Sequence, residues 1–168
     1  MGIGIHYGSL MLGTVGEKKR MDGTVISDTV NTTSRLESLT KLYGSHILIT
    51  EQVIQVLQDK NLFKLRFVDD LYMKGKQNDI KIYEVFDVDP PDIIEKKLQL
   101  MPDYDRAIAL YQKQQFQHAL SLFERCQQRL PDDSIIDLYI ARCHKWLQSP
   151  PPKSWEPIGQ FHQVMEVV

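Results

Sequence analysis

The apolar pattern of this chain changes near residue 90, and that change constrains the fold more than any other feature. Residues 63–68 and 80–86 alternate between apolar and polar side chains, which is typical of β-strands with one buried face. From residue 104 onward the apolar residues instead recur at the spacing of a helix. The sequence therefore predicts an α+β region followed by a helical region, with the acidic and proline-containing residues 89–102 as the linker between them.

The first region contains further short elements. Residues 2–16 form two β-rich runs separated by glycine, which we expect to pair as a hairpin. A short strand over residues 24–26 leads into a helix that Gly44 ends. Thr50 opens a second helix, and the two later strands are joined through residues 74–76.

The second region is helical throughout. Two consecutive helices are predicted by apolar residues at helical spacing: Tyr104, Ala107, Ile108 and Tyr111, then Phe116, Ala119, Leu120, Phe123 and Cys126. Ala119, Phe123 and Pro131 stand in the relative places of a tetratricopeptide hairpin, which this segment resembles. We assign residues 103–148, including a third helix, to these tetratricopeptide-like helices and residues 149–168 to a proline-rich tail. One and a half repeats cannot bury a core alone, so we expect the helices to pack on the first region or on a partner.

Composition excludes several classes of protein. A length of 168 residues allows one domain or two small ones, and a net charge of −2 gives no general attraction to nucleic acid or to anionic membranes. The sequence has no apolar run long enough to predict a transmembrane helix. Cys126 and Cys143 lack metal-ligand spacing and lie in helical apolar patterns. We therefore expect reduced core thiols and a cytoplasmic location.

A polar pair follows the short strand over residues 24–26. Asn31 and Arg35 are spaced i, i+4, so they share one face of the predicted helix. Arginine offers a rigid fork of donors to phosphoryl oxygens, and asparagine can orient a hydroxyl group. The pair therefore suits a phosphate-bearing ligand, although a solvated helix face is an alternative interpretation of the same two residues.

Four blocks of sequence place this pair in a wider context. They are GIGIHYG at 2–8, GTVG at 13–16, DTVN with SRLE within 28–37, and MKGK ahead of IYEV within 73–85. In order and spacing they resemble the C-terminal half of the class III adenylate/guanylate cyclase catalytic domain, and we assign residues 1–88 to it. The resemblance implies a partial ferredoxin-like fold, α+β in class, with a mainly antiparallel sheet and helices. It also implies conversion of a nucleoside triphosphate to a cyclic nucleotide and pyrophosphate, at sites formed between two subunits arranged head to tail.

The resemblance assigns roles to five residues. Asn31 matches the asparagine that orients the ribose, and Arg35 matches the arginine that stabilises charge on the α-phosphate in the transition state. Lys74 matches the lysine that holds the terminal phosphates. Thr24 matches a residue that contacts the purine, and Val25 matches one whose backbone contacts it. In having threonine at this position, the chain resembles bacterial and soluble adenylate cyclases, and this resemblance implies ATP as the nucleotide.

The resemblance also implies what the chain lacks. Family members hold two divalent metal ions, Mg²⁺ or Mn²⁺, with two aspartates from the first half of the domain. That half has no counterpart here, so we assign no residue to metal and expect the ligands to be absent from this chain. Without it the strand over residues 3–5 would be left with an open edge, which invites pairing with another chain. We therefore expect a truncated or split adenylate cyclase domain that is inactive alone and depends on a homo-oligomer or a partner.

Two alternatives stay open at this point. A non-catalytic regulatory module could pair with a complete cyclase subunit and lend it Asn31, Arg35 and Lys74. A protein-interaction module could instead work through its helical hairpin, in which case the polar pair would have no catalytic part.

Overall fold

The structure is a computed structural model that describes residues 1–15, 22–26, 28–72, 79–157 and 159–160, with the backbone alone described at 11–15, 22–26 and 159–160. Its strands are β1 (Ile3–Ile5), β2 (Met11–Val15), β3 (Asp22–Ile26), β4 (Ile47–Thr50), β5 (Leu65–Tyr72), β6 (Ile80–Val85) and β7 (Gly159–Gln160). Its helices are α1 (Asp28–Leu42), α2 (Glu51–Val56), α3 (Pro91–Gln112), α4 (Phe116–Arg129) and α5 (Ser134–Gln148). The α+β fold class expected from the sequence is confirmed.

The main sheet has the strand order β1-β4-β6-β5-β7. The central strands β4, β6 and β5 pair antiparallel, as the family resemblance implies, whereas β1 pairs parallel with β4 and β7 pairs parallel with β5. The predicted hairpin over residues 2–16 is wrong, because β2 pairs with β3 in a separate two-stranded sheet. Parallel pairing of β1 with β4 requires a crossover between them, and α1 lies on that crossover.

Glycine in β1 lets α1 lie directly against the strand. A Cβ atom at Gly4 would come within 2.6 Å of the Glu37 backbone nitrogen and 2.9 Å of the Thr33 carbonyl oxygen. Neither backbone atom could move aside cheaply, so only glycine fits this helix–strand contact. α1 ends at Leu42, and Gly44, two residues later, has a φ of +61°, the left-handed conformation that favours glycine after a helix.

Helices α3, α4 and α5 pack on the sheet rather than standing apart from it. Leu36 of α1, Val68 of β5 and Ile82 of β6 belong to the same buried cluster as Phe123 of α4 and Ile136 of α5. The expectation that the helical region packs on the first region is therefore confirmed. Within this cluster the Tyr104 ring meets the Phe123 ring edge to face at 6.0 Å, a favourable aromatic arrangement.

The linker expected over residues 89–102 is largely helix. α3 begins at Pro91 and continues through Pro102 to Gln112. A proline at the first helical position has no N–H to leave unsatisfied and its fixed φ already suits a helix, so Pro91 starts the helix instead of breaking the chain. Burial of Leu100 in the core then holds the first turns of α3 on the sheet.

The remaining helices lie where the sequence predicts them. Asp133 caps α5, because its carboxylate accepts hydrogen bonds from the backbone N–H groups of Ile135 and Ile136. After α5, Trp155 packs edge to face against Tyr111 and Phe116, both at 5.6 Å between ring centroids. The beginning of the proline-rich tail is thus anchored on the helices by an aromatic side chain.

Candidate functional site

The predicted polar pair lies on one flank of α1. Leu36 and Leu39 form the buried side of the helix, while Asn31 is exposed and Arg35 is half-buried. The i, i+4 spacing places both polar side chains along the same flank, beside the buried stripe rather than within it.

Two hydrogen bonds fasten the first turn of α1 and the end of β1. The Thr29 hydroxyl donates to the Ser9 carbonyl oxygen at 2.6 Å, which ties α1 to the segment after β1. His6 Nδ1 lies 2.8 Å from the Thr50 hydroxyl oxygen, which ties the end of β1 to the end of β4. The start of α1, three residues before Asn31, is therefore tied to the segment that continues from β1.

The predicted purine-contacting residues lie on the strand before α1. Thr24 is paired with Gly13 and Val25 with Leu12 in the β2–β3 sheet. β3 ends at Ile26, two residues before the first residue of α1, so these positions and the polar pair lie on consecutive elements. Lys74 lies outside the described residues, and its role stays a prediction.

A buried ionic network that the sequence interpretation missed joins the sheet to the helices. The Arg66 guanidinium contacts Glu84 at 2.7 Å and Asp133 at 2.9 Å, and Lys97 contacts Glu84 at 2.9 Å and Asp89 at 2.7 Å. Burial alone would lower the pKa of Arg66, but the charges of Glu84 and Asp133 outweigh it and raise that pKa above its ordinary value. The sequence contains one indication that Glu84 is buried, because Glu84 lies in the same alternating phase as the buried residues Ile82 and Phe86.

A second buried group surrounds Asp69 on β5. Tyr43, which directly follows α1, donates its hydroxyl to Asp69 Oδ2 at 2.7 Å. Arg142 of α5 donates to both carboxylate oxygens, at 3.1 Å to Oδ1 and 2.7 Å to Oδ2. Burial raises the pKa of Tyr43 well above its ordinary value, and the Asp69 charge raises it further, so the phenol stays a hydrogen-bond donor at neutral pH.

The described residues do not supply a metal centre. Within them, no three or more histidine, cysteine, aspartate or glutamate side chains are grouped so that they could hold a metal ion. Cys126 and Cys143 are free and buried, and burial raises the pKa of their thiols to about 11 and about 12 respectively. Both thiols are therefore protonated at neutral pH and poorly suited to metal binding. Over the same described residues, none of the helices has the length and apolar character needed to cross a membrane.

A cavity of about 510 Å³ lies away from the polar pair, lined by Glu51, Phe67, Tyr83 and Met101 among others. A second, of about 330 Å³, is lined by the buried charges Arg66, Glu84 and Lys97. Neither lining includes Asn31 or Arg35, so neither of these two cavities is the candidate site.

Asp70, the residue after Asp69, gives a testable pH dependence. Burial, together with the nearby charge of Asp79, raises the pKa of Asp70 from 3.8 to about 6, and its buried Oδ1 atom has no hydrogen-bond partner among the described residues. Because the folded-state pKa exceeds the unfolded one, the charged carboxylate destabilises the fold above pH 6, and this cost disappears near pH 4. We therefore expect Asp70→Asn to raise the melting temperature at pH 8 and to leave it nearly unchanged at pH 4. Thermal denaturation followed by circular dichroism measures both.

The exposed residue Asp92 provides the matched control for that comparison. Asp92→Asn should shift the melting temperature little at either pH, since the Asp92 side chain is 67% exposed and its ion pair with Lys96, at 3.7 Å, is also exposed. An equal effect of Asp70→Asn at pH 4 and pH 8 would contradict the titration of Asp70.

Comparison with known sequences identifies the family. Residues 1–86 match the family described as Adenylate and Guanylate cyclase catalytic domain. The chain belongs to this cyclase family. Members of this family bind a nucleotide substrate and commonly form dimers.

Individual cyclases show how far the similarity extends. The terminal-differentiation specific adenylate cyclase of Dictyostelium discoideum is 37% identical over 143 residues, covering 84% of this chain and 7% of the relative. An adenylate cyclase of Anabaena cylindrica is 52% identical over 86 residues, covering 51% of this chain and 17% of the relative. The chain thus spans less than a fifth of the length of either relative. Among solved structures, the adenylyl cyclase CyaB from P. aeruginosa is 33% identical with a TM-score of 0.40, covering 50% of this chain and 41% of that one.

The alignment with the Dictyostelium cyclase is longer than the 86 residues of the family match. It therefore includes residues of the helical region as well as the cyclase region.

Proposed function

We propose that this chain is the C-terminal half of an adenylate cyclase catalytic domain, which converts ATP into 3′,5′-cyclic AMP and pyrophosphate. The observation that carries the proposal is the position of Asn31 and Arg35, one helical turn apart on the same flank of α1 in a chain of the cyclase family. The relatives in Dictyostelium and Anabaena are both named adenylate cyclases, which supports ATP as the nucleotide.

In this proposal the two side chains act on the reacting end of the nucleotide. Asn31 holds the ribose, so that the 3′-hydroxyl oxygen faces the α-phosphorus. Arg35 donates from its planar guanidinium to the α-phosphate oxygens, on which negative charge grows as the new ester bond forms and the pyrophosphate bond breaks. Thr24 and the backbone of Val25, on the strand that leads into α1, contact the adenine ring. Lys74 holds the terminal phosphates of the leaving group.

The proposed site is incomplete in the residues described here. Family members generally use divalent metal ions, and the described residues contain no group that could hold one. The carboxylates must then come from another segment or another subunit, and we propose that the chain is inactive without it. The edge position of β1 supports this, because Ile3 and Ile5 are each 43% exposed on a strand whose described neighbour lies on one side only.

Two further features belong to the same proposal. We propose that α3 and α4 form a tetratricopeptide-like hairpin that accompanies the catalytic region, since they pack against each other and on the shared core. Two free buried thiols suit a reducing compartment, so we place the protein in the cytoplasm.

Reconstitution tests this proposal. The segment that precedes the 86 aligned residues in the Anabaena cyclase is co-expressed with this chain, and cyclic AMP formation is measured with ATP and Mn²⁺. We expect the pair to form cyclic AMP while neither part alone does so, because each part supplies groups that the other lacks. A pair that co-purifies in a folded state and forms no cyclic AMP would contradict the proposal.

The same assay separates the regulatory alternative. If the chain instead lends residues to a complete subunit, cyclic AMP should appear when it is mixed with a whole Anabaena catalytic domain whose own equivalents of Asn31 and Arg35 are substituted. Under the main proposal the isolated first segment is sufficient, and the complete domain is not needed.

A further inference from the structure

We propose that α5 sets the position of α1 through a three-residue link, in which Arg142 holds Asp69 and Asp69 holds Tyr43. Arg142 and Tyr43 are thus positioning residues for the helix that carries Asn31 and Arg35. The expected effect on catalysis rests on the proposed function. The structural link between α5 and α1 does not depend on that function.

The link depends on a β-bulge in β5. The pairing register of β5 with β6 shifts between Phe67 and Asp69, so that Val68 stands outside the ladder. Val68 and Asp69 are consecutive, yet both are buried, at 0% and 1% exposure. In a regular strand they would point to opposite faces, and the bulge instead turns both toward the helices.

Side chains of the helical region hold the bulge in place. Tyr139 of α5 donates its hydroxyl to the Val68 carbonyl oxygen at 3.0 Å, and Tyr104 of α3 donates to the Phe67 carbonyl oxygen at 2.7 Å. These bonds satisfy backbone groups at the irregularity, where the sheet ladder is interrupted. The position of the Asp69 backbone is therefore set by α3 and α5 together.

Asp69 connects this part of β5 to the C-terminal end of α1 through Tyr43. The Asp69 carboxylate accepts hydrogen bonds from both terminal nitrogens of Arg142 and from the Tyr43 hydroxyl. Its Oδ1 also accepts a hydrogen bond from the Asp70 backbone N–H at 3.0 Å. A two-pronged guanidinium–carboxylate contact fixes orientation as well as distance. Because these contacts fix the Asp69 carboxylate, the Tyr43 hydroxyl can donate to it from one position only.

Tyr43 is continuous with α1. Its backbone N–H donates to the Leu39 carbonyl oxygen at 3.0 Å, so the ring moves with the last turn of the helix. Asn31 lies twelve residues earlier, about 18 Å along the axis at 1.5 Å per residue. A helix of 15 residues moves nearly as a rigid rod, so loss of the anchor at its C-terminal end changes where Asn31 and Arg35 stand. Displacements of about 1 Å at a reacting group can lower rates by up to about 100-fold.

The first measurement tests the link without any need for turnover. Tyr43→Phe removes one hydroxyl, and Arg142→Met removes the fork while keeping the apolar stem. Hydrogen exchange of the full chain should show about tenfold faster exchange in the peptides of α1 for both variants, with α4 unchanged. Equal acceleration in α1 and α4 would mean a general loss of stability and would overturn the link, as would no change in α1.

The second measurement uses the reconstituted cyclase. Both variants should lower kcat by about tenfold and leave KM for ATP within about twofold, because the misplaced groups act on the reacting centre. Their combination should cost less than the product of the two single effects, since both interrupt one link. Arg125→Met, which removes an exposed contact to Asp103, is the matched control and should leave kcat and exchange unchanged.

The two measurements separate failure of the link from failure of the proposed function. Faster exchange confined to α1, with a reconstituted pair that forms no cyclic AMP, would support the link and contradict the cyclase function. An active pair in which both variants keep the parent kcat and the parent exchange of α1 would overturn the link alone.

Discussion

Replacing Arg66 with methionine should destabilise the fold by about 3–5 kcal/mol, the range for breaking a buried ion pair from one side. Arg66 is 1% exposed and is the largest fully buried side chain among the described residues. Methionine would fill much of the volume but leave the carboxylates of Glu84 and Asp133 buried without their guanidinium partner. Lys97 still contacts Glu84, so the greater part of the loss should come from Asp133.

A second substitution tests this assignment of the cost. Adding Asp133→Asn to Arg66→Met should recover part of the lost stability, because asparagine removes the stranded charge and can still cap α5. Urea denaturation of the two variants and the parent gives the three free energies of unfolding. If the double variant recovered no stability, the loss in Arg66→Met would be due to packing rather than to an unpaired buried charge.

The exposed pair of Arg125 and Asp103 provides the control. Its atoms are as close as those of the buried pair, at 2.7 Å, but the two side chains are 58% and 28% exposed. Arg125→Met should therefore change the free energy of unfolding by about 1 kcal/mol or less. If Arg66→Met cost no more than Arg125→Met, the buried network would not be what joins the helices to the sheet.

The elements of this fold that depend on local spacing could be predicted from the sequence. Helices α4 and α5 and the strands β5 and β6 follow the two apolar periods, because each buries one side against the same core. The pairing of β1 could not be predicted in this way. Its partner β4 lies more than 40 residues away, and the chosen pairing depends on how closely α1 can approach Gly4.

The start of α3 shows a different limit. Two prolines and two acidic residues near residue 90 indicate a loop, yet Pro91 occupies the first helical position, where proline is favoured. Local composition did not separate these cases, because it does not reveal that Leu100 is buried in the core.

The candidate site, too, could be predicted from the sequence only where it depends on local spacing. The spacing of Asn31 and Arg35 predicts a shared helix flank, and α1 presents them in that way. Their roles come from the family resemblance and stay predictions. The partners of the buried charges could not be predicted, because Arg66 meets Asp133 and Asp69 meets Arg142 across 67 and 73 residues. A charge in an apolar phase predicts burial, but only the packing of α5 on the sheet determines which charge it meets.

Substituting Arg35 with alanine should lower kcat of the reconstituted cyclase by about 10²- to 10³-fold, the usual effect of removing one donor aimed at transition-state charge. Arg35 is half-buried and is not among the buried residues of α1, so the free energy of unfolding should change by about 1 kcal/mol or less. Arg35→Lys keeps the charge but not the planar fork, and its kcat should fall between those of the parent and Arg35→Ala. Initial rates of cyclic AMP formation at saturating ATP measure all three.

The control for this series is Arg106→Ala, which removes an exposed arginine on α3 and should leave kcat unchanged. A large loss of kcat in Arg35→Ala with an unchanged melting temperature requires Arg35 to act on the nucleotide rather than on the fold. If Arg35→Ala lowered the melting temperature and kept its kcat, the i, i+4 pair on α1 would be a structural surface. The proposed transition-state role would then have to move to residues outside this helix.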